Sequence, residues 1–151
     1  MPQSIARIYV HLVFATRYRQ PIIGDDVRLP LHEFIRGVLH TRGDYPEAIN
    51  SVEDHIHILL QLGRMSTISA TVEDVKTTSS KWLKQQTPRY RDFHWQKGYG
   101  AFAICHDRLL IVRRYIARQQ QHHAKTTFES EYRDHLARHN LEPDPRDMSW
   151  E

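Results

Sequence analysis

The sequence predicts an α+β protein of the ferredoxin-like (RRM-like) class, with β-α-β-β-α-β order, an antiparallel sheet and an additional C-terminal helix that carries Tyr115. Two observations support this class. Segments in which apolar and polar residues alternate are interleaved with segments in which apolar residues recur at helical spacing. No internal repeat or low-complexity linker divides the 151 residues, so a single domain is expected.

Each predicted element follows from its own residue pattern. Alternation assigns the strands, and a recurrence of apolar residues every three or four positions assigns the helices. Pro88 ends the second helix, and Asp107 is predicted to cap the last long one. In chain order, we predict a strand at 5–15, a helix at 31–43, strands at 46–53 and 54–62, a helix at 68–86, a strand at 99–104, a long helix at 107–124 and a short helical piece at 128–139.

The composition excludes several classes of protein. With 40% hydrophobic and 26% charged residues, the chain has the composition of a folded domain rather than a disordered one. The single cysteine, Cys105, excludes an internal disulfide and a cysteine-rich zinc site. No apolar run approaches the roughly 20 residues that span a bilayer. Because the N-terminus also lacks signal-peptide features, a cytoplasmic location without a membrane partner is expected.

The charge distribution favours a nucleic-acid partner. Lys and Arg number 21 against 18 Asp and Glu, and basic residues are interleaved with aromatic residues between Lys76 and Tyr99. Cations for phosphates beside rings for bases are typical of a groove for single-stranded nucleic acid. The alternative interpretation places the rings in the core and the charges in solvent.

One predicted strand carries two histidines. Because the side chains of a strand alternate between its faces, His55 and His57 point one way while Ile56 and Ile58 point the other. Two imidazoles side by side on a rigid element supply half of a divalent-metal site. Strand histidines that bind no ligand are the alternative. His11, which shares the polar face of the first strand with Tyr9, is interpreted as a structural histidine or as a residue that orients a ligand.

The last long helix places a phenol and a carboxamide on one face. Tyr115 and Gln119 are four residues apart and are therefore neighbours on the helix surface. A glutamine oxygen is an acceptable ligand for Mg²⁺ or Mn²⁺, and imidazole is acceptable to Mn²⁺. His122 and His123 are interpreted as caps of the helix C-terminus or as additional ligands.

Five segments together resemble, in the same order, those of the single-tyrosine transposases of the HUH superfamily (histidine, hydrophobic residue, histidine), from the small insertion-sequence group of the IS-two-hundred type. The similarity spans nearly the whole chain. The segments are Tyr9-x-x-Leu12-Val13-Phe14-Ala15-Thr16-x-Tyr18-Arg19, Asp54-His55-Ile56-His57, Trp95-Gln96-Lys97-Gly98-Tyr99-Gly100, Tyr115-Ile116-x-x-Gln119 followed by His122-His123, and Phe128-Glu129-x-Glu131-Tyr132.

This resemblance implies a reaction and its residues. It implies that His55, His57 and Gln119 hold one divalent metal, Mg²⁺ or Mn²⁺, and that Tyr115 is the nucleophile. The enzyme would cleave and rejoin single-stranded DNA at insertion-sequence ends through a five-prime phosphotyrosine intermediate. The resemblance further implies hairpin-bearing DNA as substrate and a homodimer with shared active sites, in which Tyr115 can serve the histidines of the partner subunit. The alternatives are a domesticated, repeat-associated relative that binds hairpin DNA without chemistry, and another HUH nickase.

The resemblance also divides the chain and suggests DNA contacts. An HUH transposase domain that includes the tyrosine helix is expected at residues 1–124, followed by a polar tail at 125–151. Contacts to the DNA backbone are expected from seven basic residues: Arg17, Arg19, Lys76, Lys81, Arg113, Arg114 and Arg118.

Overall fold

The computed structural model describes residues 4–142. Its strands are β1 (Tyr9–Ala15), β2 (Tyr45–Ser51), β3 (His55–Gln61) and β4 (Gly100–Ile104), and its helices are α1 (Arg28–Thr41), α2 (Ile68–Lys84), α3 (Leu109–Ala117), α4 (Gln119–His123) and α5 (Phe128–Arg138). All strand pairs are antiparallel, and the sheet order is β2-β3-β1-β4. The predicted ferredoxin-like class is confirmed. β1, which carries His11, and β3, which carries His55 and His57, are the two central strands of the sheet.

One face of the sheet carries the main apolar core, packed against α1 and α2. The core includes Val10, Leu12, Phe14, Ile56, Ile58 and Leu60 from the central strands and Leu31, Ile35, Val72 and Val75 from the helices. Because strand side chains alternate, the intervening residues His11, His55 and His57 point to the second face. The predicted alternation of β1 and β3 is therefore what separates the core from the candidate site.

The second face of the sheet is covered by the helices that follow β4. A smaller cluster joins α5 to this face through Val13, Ala15, Phe102, Phe128, Tyr132 and Leu136. Gly100 permits the close approach, since a Cβ atom there would lie 2.8 Å from the Tyr132 ring. The boundary expected at residue 124 stays a prediction, although α5, which lies beyond it, packs on the sheet. The end of the expected tail, beyond residue 142, lies outside the described residues.

The single helix expected at 107–124 is wrong, because the chain forms two helices. The backbone leaves the helical conformation at Arg118, with φ −101° and ψ 19°. The Asn50 amide donates to the Ile116 carbonyl at 2.7 Å, and an unbroken helix would use that carbonyl to accept from the backbone of Gln120. The Asn50 contact thereby ends α3, and α4 starts as a separate helix after Arg118.

The cap predicted at Asp107 is also wrong. His106–Arg108 form a short 3-10 turn, whose N-cap is Cys105, and neither this turn nor α3 has a side-chain cap. Cys105 itself is a free, exposed thiol. None of the helices between residues 4 and 142 is both long and apolar enough to cross a bilayer.

Candidate active site

The two histidines of β3 are held side by side on the second face of the sheet. Both side chains are fully buried, and their ring centroids are 5.2 Å apart. β3 pairs with β1 on one side and with β2 on the other, so its backbone is fixed along its whole length. His55 and His57 are therefore preorganised, as a rigid pair of ligands would have to be.

A carboxylate from α5 lies against both histidines. The Glu131 Oε1 atom is 2.9 Å from His57 Nε2 and 3.4 Å from His55 Nε2. The other oxygen of Glu131, Oε2, accepts hydrogen bonds from the Tyr115 hydroxyl and, at 3.1 Å, from the Gln119 amide. Glu131 is thus the one side chain of this group that contacts all four residues predicted to form the site.

Tyr115 and Gln119 reach the histidines from helices of the same chain. Gln119 is fully buried, and its Oε1 atom is 3.3 Å from His55 Nε2. The Tyr115 ring centroid is 5.7 Å from that of His57. A single chain therefore brings the four predicted residues together. Whether Tyr115 also serves a partner subunit stays a prediction.

Hydrogen bonds on the far side of each imidazole fix its orientation. His55 Nδ1 donates to the carboxylate of Asp54 at 2.7 Å, and His57 Nδ1 is 2.7 Å from His11 Nε2. Both contacts engage Nδ1, so both Nε2 atoms face Glu131. Histidines that bind metals are commonly held in this way, with one ring nitrogen on the metal and the other on a neighbouring polar group.

The charges inside the site are strongly perturbed. Burial alone would raise the pKa of Glu131, but close contacts with the rings of His123, His55 and His57 outweigh it and hold that pKa well below its usual range. Burial would lower the pKa of His55, yet the contacts with Asp54 and Glu131 raise it. Burial dominates at His57 and lowers its pKa to about 4. Glu131 is therefore an anion that raises the proton affinity of His55, whereas His57 stays neutral near pH 7.

The hydroxyl of Tyr115 is held in its neutral form. Burial raises its pKa far above the ordinary value, and the negative charge and hydrogen bond of Glu131 act in the same direction. A phenolate forms readily only where positive charge is supplied nearby. Loss of the Tyr115 proton would therefore require positive charge beside the hydroxyl.

Two further histidines turn toward the same carboxylate. His122 Nε2 and His123 Nε2 lie 3.2 and 3.0 Å from Glu131 Oε2. These two buried nitrogens have no hydrogen-bond partner among residues 4–142. The donor atoms of His55, His57, His123 and Glu131 all lie within 4.8 Å of one another. Nitrogen and carboxylate donors at this spacing, with buried nitrogens left over, fit a divalent cation.

A basic groove runs beside the tyrosine. It has a volume of about 530 Å³ and is lined by Ile111, Arg114, Tyr115, Arg118, Gln121, His122 and Lys125. Arg114, Arg118 and Lys125 bring three positive charges to the edge of Tyr115. Such a surface attracts the phosphates of a nucleic-acid strand.

The other basic residues predicted to contact DNA lie outside the lining of this groove. The guanidinium of Arg113 pairs with Glu47, and that of Arg19 lies 3.8 Å from Glu129. Lys76 Nζ donates to the carbonyls of Gln96 and Gly98, and burial lowers its pKa to about 8. Arg17 and Lys81 are exposed.

Sequence reasoning assigned no role to Glu131, although its surroundings carry a signal. Five buried residues of α5 recur at helical spacing: Phe128, Glu131, Tyr132, His135 and Leu136. A carboxylate in the middle of a buried helical face is rare unless it is paired. That pattern predicts a buried partner for Glu131, but it does not say which residues the helix packs against.

Comparison with known proteins identifies the family. The profile of the family described as "Transposase IS200 like" matches residues 4–119, which is more than half of the chain. The chain belongs to the IS200-like transposase family. No curated protein matches this IS200-like transposase at a significant level.

Two solved structures share the fold of this IS200-like transposase. A protein from Deinococcus radiodurans, assigned as a transposase, is 23% identical with a TM-score of 0.60, and the alignment covers 79% of this chain and 95% of that one. A REP-associated tyrosine transposase bound to a REP hairpin is 15% identical with a TM-score of 0.61, covering 83% and 74%. At these identities the likeness establishes the α+β fold.

Proposed function

We propose that this IS200-like transposase cleaves and rejoins single-stranded DNA through a covalent bond to Tyr115. The observation that carries the proposal is the meeting of a phenol, a carboxamide and two imidazoles in one buried site. His55, His57 and Gln119 would hold a divalent cation, Mg²⁺ or Mn²⁺. None of these residues alone would indicate a reaction, but their convergence matches what phosphodiester chemistry requires.

A phosphodiester resists attack because its anionic oxygens repel an approaching nucleophile. A divalent cation bound in this site would polarise the non-bridging oxygen and hold the phosphate in place. The Tyr115 oxygen forms a bond to phosphorus while the bond from phosphorus to the three-prime oxygen breaks. The phenolic proton has an acceptor at hand in Glu131, and the departing three-prime oxygen takes a proton from water.

Rejoining is the same step in reverse. The phosphotyrosine link conserves the energy of the broken bond, so no nucleotide cofactor is needed. A three-prime hydroxyl of another DNA end attacks the phosphorus, and the Tyr115 oxygen leaves and recovers its proton. Strand transfer therefore needs a bound, correctly placed second end rather than any additional chemical group.

The basic groove supports a single strand as substrate. Arg114 and Arg118 lie on either side of Tyr115 in the sequence and share its groove, so they can hold the phosphates that flank the scissile one. The solved relative bound to a REP hairpin supports a hairpin-bearing strand. We further propose a homodimer with shared active sites, acting on DNA in the cytoplasm.

A cleavage assay tests this function. The protein is incubated with end-labelled, hairpin-bearing single strands and Mn²⁺ or Mg²⁺, and the products are separated on a denaturing gel. The wild type should give a cleaved strand and a protein-linked strand, and Tyr115→Phe should give neither. Tyr99→Phe, which alters an exposed tyrosine outside the site, is the matched control and should cleave normally. Cleavage by Tyr115→Phe at the wild-type rate would rule the proposal out.

A second candidate is a hairpin-binding protein without chemistry. The neutral state of the Tyr115 phenol, hydrogen-bonded to Glu131, favours it. In that case the denaturing gel would show no covalent product from the wild-type protein under either metal, while a native gel-shift assay with the same strand would show tight binding.

A further inference from the structure

We infer that Glu131 and His123 are ligands of the same cation as His55 and His57. The metal site would then contain three imidazoles and one carboxylate. His123 comes from α4 and Glu131 from α5, the two helices that follow the tyrosine helix α3. This inference rests on the proposed function, since the cation is the one proposed there. It adds a second ligand from α4, beside Gln119, and gives α5 a metal-binding role.

The spacing of the donor atoms supports this assignment. With bonds of about 2.1 Å, adjacent ligand atoms of an octahedral cation are about 3.0 Å apart. Glu131 Oε1 lies 2.9 Å from His57 Nε2 and 3.4 Å from His55 Nε2, and Glu131 Oε2 lies 3.0 Å from His123 Nε2. These separations are already those of neighbouring ligands, so a cation can be accommodated with small side-chain shifts.

His123 has one ring nitrogen anchored and the other free. Its Nδ1 donates to the carbonyl of Thr126 at 2.7 Å, which fixes the ring. Its Nε2 is buried, faces Glu131 and makes no hydrogen bond within residues 4–142. The His123 side chain is nine-tenths buried, so this nitrogen lacks water as a partner as well. Leaving a buried nitrogen unpaired is costly, and a cation would satisfy it.

Glu131 is a buried anion whose close cationic contacts are imidazoles. Its side chain is 2% exposed, and the groups within 3.5 Å include ring nitrogens of four histidines besides the Tyr115 hydroxyl and the Gln119 amide: His55, His57, His122 and His123. A buried carboxylate needs a strong positive partner to offset its lost hydration. A divalent cation would supply that positive charge at the centre of the cluster.

The position of Glu131 is set by packing rather than by the cluster itself. Phe128 and Tyr132 of α5 lie in the apolar cluster on the second sheet face, on either side of Glu131 in the sequence. The carboxylate is therefore delivered to the site by a docked helix, as a preorganised ligand should be. Gln119, proposed above as a ligand, would bring the number of donor side chains around the cation to five.

The donor set also predicts which metal is preferred. Mg²⁺ favours oxygen ligands and water, whereas imidazole nitrogens suit first-row transition ions. Three imidazoles in one site should therefore select Mn²⁺ over Mg²⁺. A site of two imidazoles and oxygen ligands would discriminate less.

Direct metal binding tests the inference without relying on activity. Mn²⁺ binding to the full chain is followed by electron paramagnetic resonance, with Mg²⁺ as competitor. Glu131→Gln keeps the shape of the side chain and should weaken Mn²⁺ binding at least tenfold, and His123→Ala should weaken it similarly. Glu129→Gln, on the exposed side of the same helix, is the matched control and should bind as the wild type does.

Each result has a distinct meaning. Wild-type affinity in Glu131→Gln and His123→Ala, with affinity lost in His57→Ala, overturns this inference and leaves the proposed function standing. Tighter binding by Glu131→Gln also overturns it, because the carboxylate would then be a plug in the metal position. Failure of the wild type to bind Mn²⁺, or unchanged binding by His57→Ala, removes the proposed metal site itself.

A measurement on the unaltered protein covers variants that fail to fold. X-ray absorption of the wild type loaded with Mn²⁺ counts the imidazole ligands directly. Three imidazoles support the inference, and two or fewer contradict it.

Discussion

The hydroxyl of Tyr115 donates a hydrogen bond to the carboxylate of Glu131, although the two residues lie on different helices and are 16 positions apart. This contact joins the candidate nucleophile to the centre of the histidine cluster. In this arrangement the phenol keeps its proton, because the carboxylate charge opposes a second negative charge beside it. A cation bound at Glu131 would offset the carboxylate charge and lower the pKa of Tyr115. We therefore expect metal binding to promote loss of the Tyr115 proton.

Gly100→Ala should displace α5 from the sheet. The new Cβ atom would lie 2.8 Å from the Tyr132 ring and 3.0 Å from Val13, closer than packed atoms allow. We expect a loss of about 1–3 kcal/mol in the free energy of unfolding, measured in urea, together with slower cleavage. Gly37→Ala is the control, because its Cβ atom would meet nothing within 4 Å, and it should not destabilise the protein. Equal stability of the two variants would contradict the packing described for α5.

Arg118→Ala should weaken the binding of single-stranded DNA. If Arg118 contacts one phosphate, the slope of log affinity against log salt should fall by about 0.7, and binding should weaken alike for all sequences. Titrations at several salt concentrations measure both effects. Lys84→Ala is the control. It removes an exposed charge at the end of α2, which packs on the sheet face opposite the candidate site, and it should leave the slope unchanged. A slope that Arg118→Ala also leaves unchanged would exclude Arg118 from the interface.

His32 should make the fold sensitive to acid. Burial, aided by the charges of Arg28 and Arg36, lowers the His32 pKa from 6.5 to about 4, and its ring bonds to Ser51 at 2.7 Å. Below pH 6.5 the unfolded chain binds a proton that the folded chain does not. The contribution of neutral His32 to the free energy of unfolding is therefore full above pH 6.5 and is lost as the pH falls toward 4.

His32→Gln isolates this contribution. From pH 7 to pH 5 the wild type should lose about 2 kcal/mol more unfolding free energy than the variant does. Urea unfolding of both proteins across this range measures the difference. Parallel pH profiles would show that His32 does not titrate as proposed.

Mixing two inactive variants tests the shared active site. Leu110 and Ile111 are half exposed on α3, and this apolar area gives a second copy a surface to cover next to the tyrosine. If sites are shared, His57→Ala and Tyr115→Phe should restore part of the cleavage when mixed, since one subunit supplies the histidines and the other the phenol. No restoration would mean that each chain uses its own Tyr115, as the single-chain geometry permits.

Local patterns account for what the sequence predicted correctly. The alternation in β3 fixes the facing of His55 and His57 because a strand allows only two directions. The spacing of Tyr115 and Gln119 placed them together, and they do meet, although the helix between them is broken. The break comes from Asn50, which is distant in sequence, and no pattern within 107–124 reveals it.

The role of α5 could not be predicted because it depends on long-range packing. The tail after residue 124 is polar in composition, and its sequence predicted only a short helical piece at 128–139. In the structure, Phe128 and Tyr132 dock on β4 and β1, and Glu131 follows them into the site. The sequence shows the helical spacing of the buried residues of α5. It does not show that they pack against β1 and β4.

Mapping the covalent adduct tests the central claim most directly. After reaction with a single strand and Mn²⁺, nuclease and trypsin digestion should release the short peptide Tyr115-Ile116-Ala117-Arg118, which mass spectrometry can identify. We expect a nucleotide on Tyr115, absent when the metal is chelated. A nucleotide on Tyr99 or Tyr132, or strand cleavage without any tyrosine adduct, would contradict it.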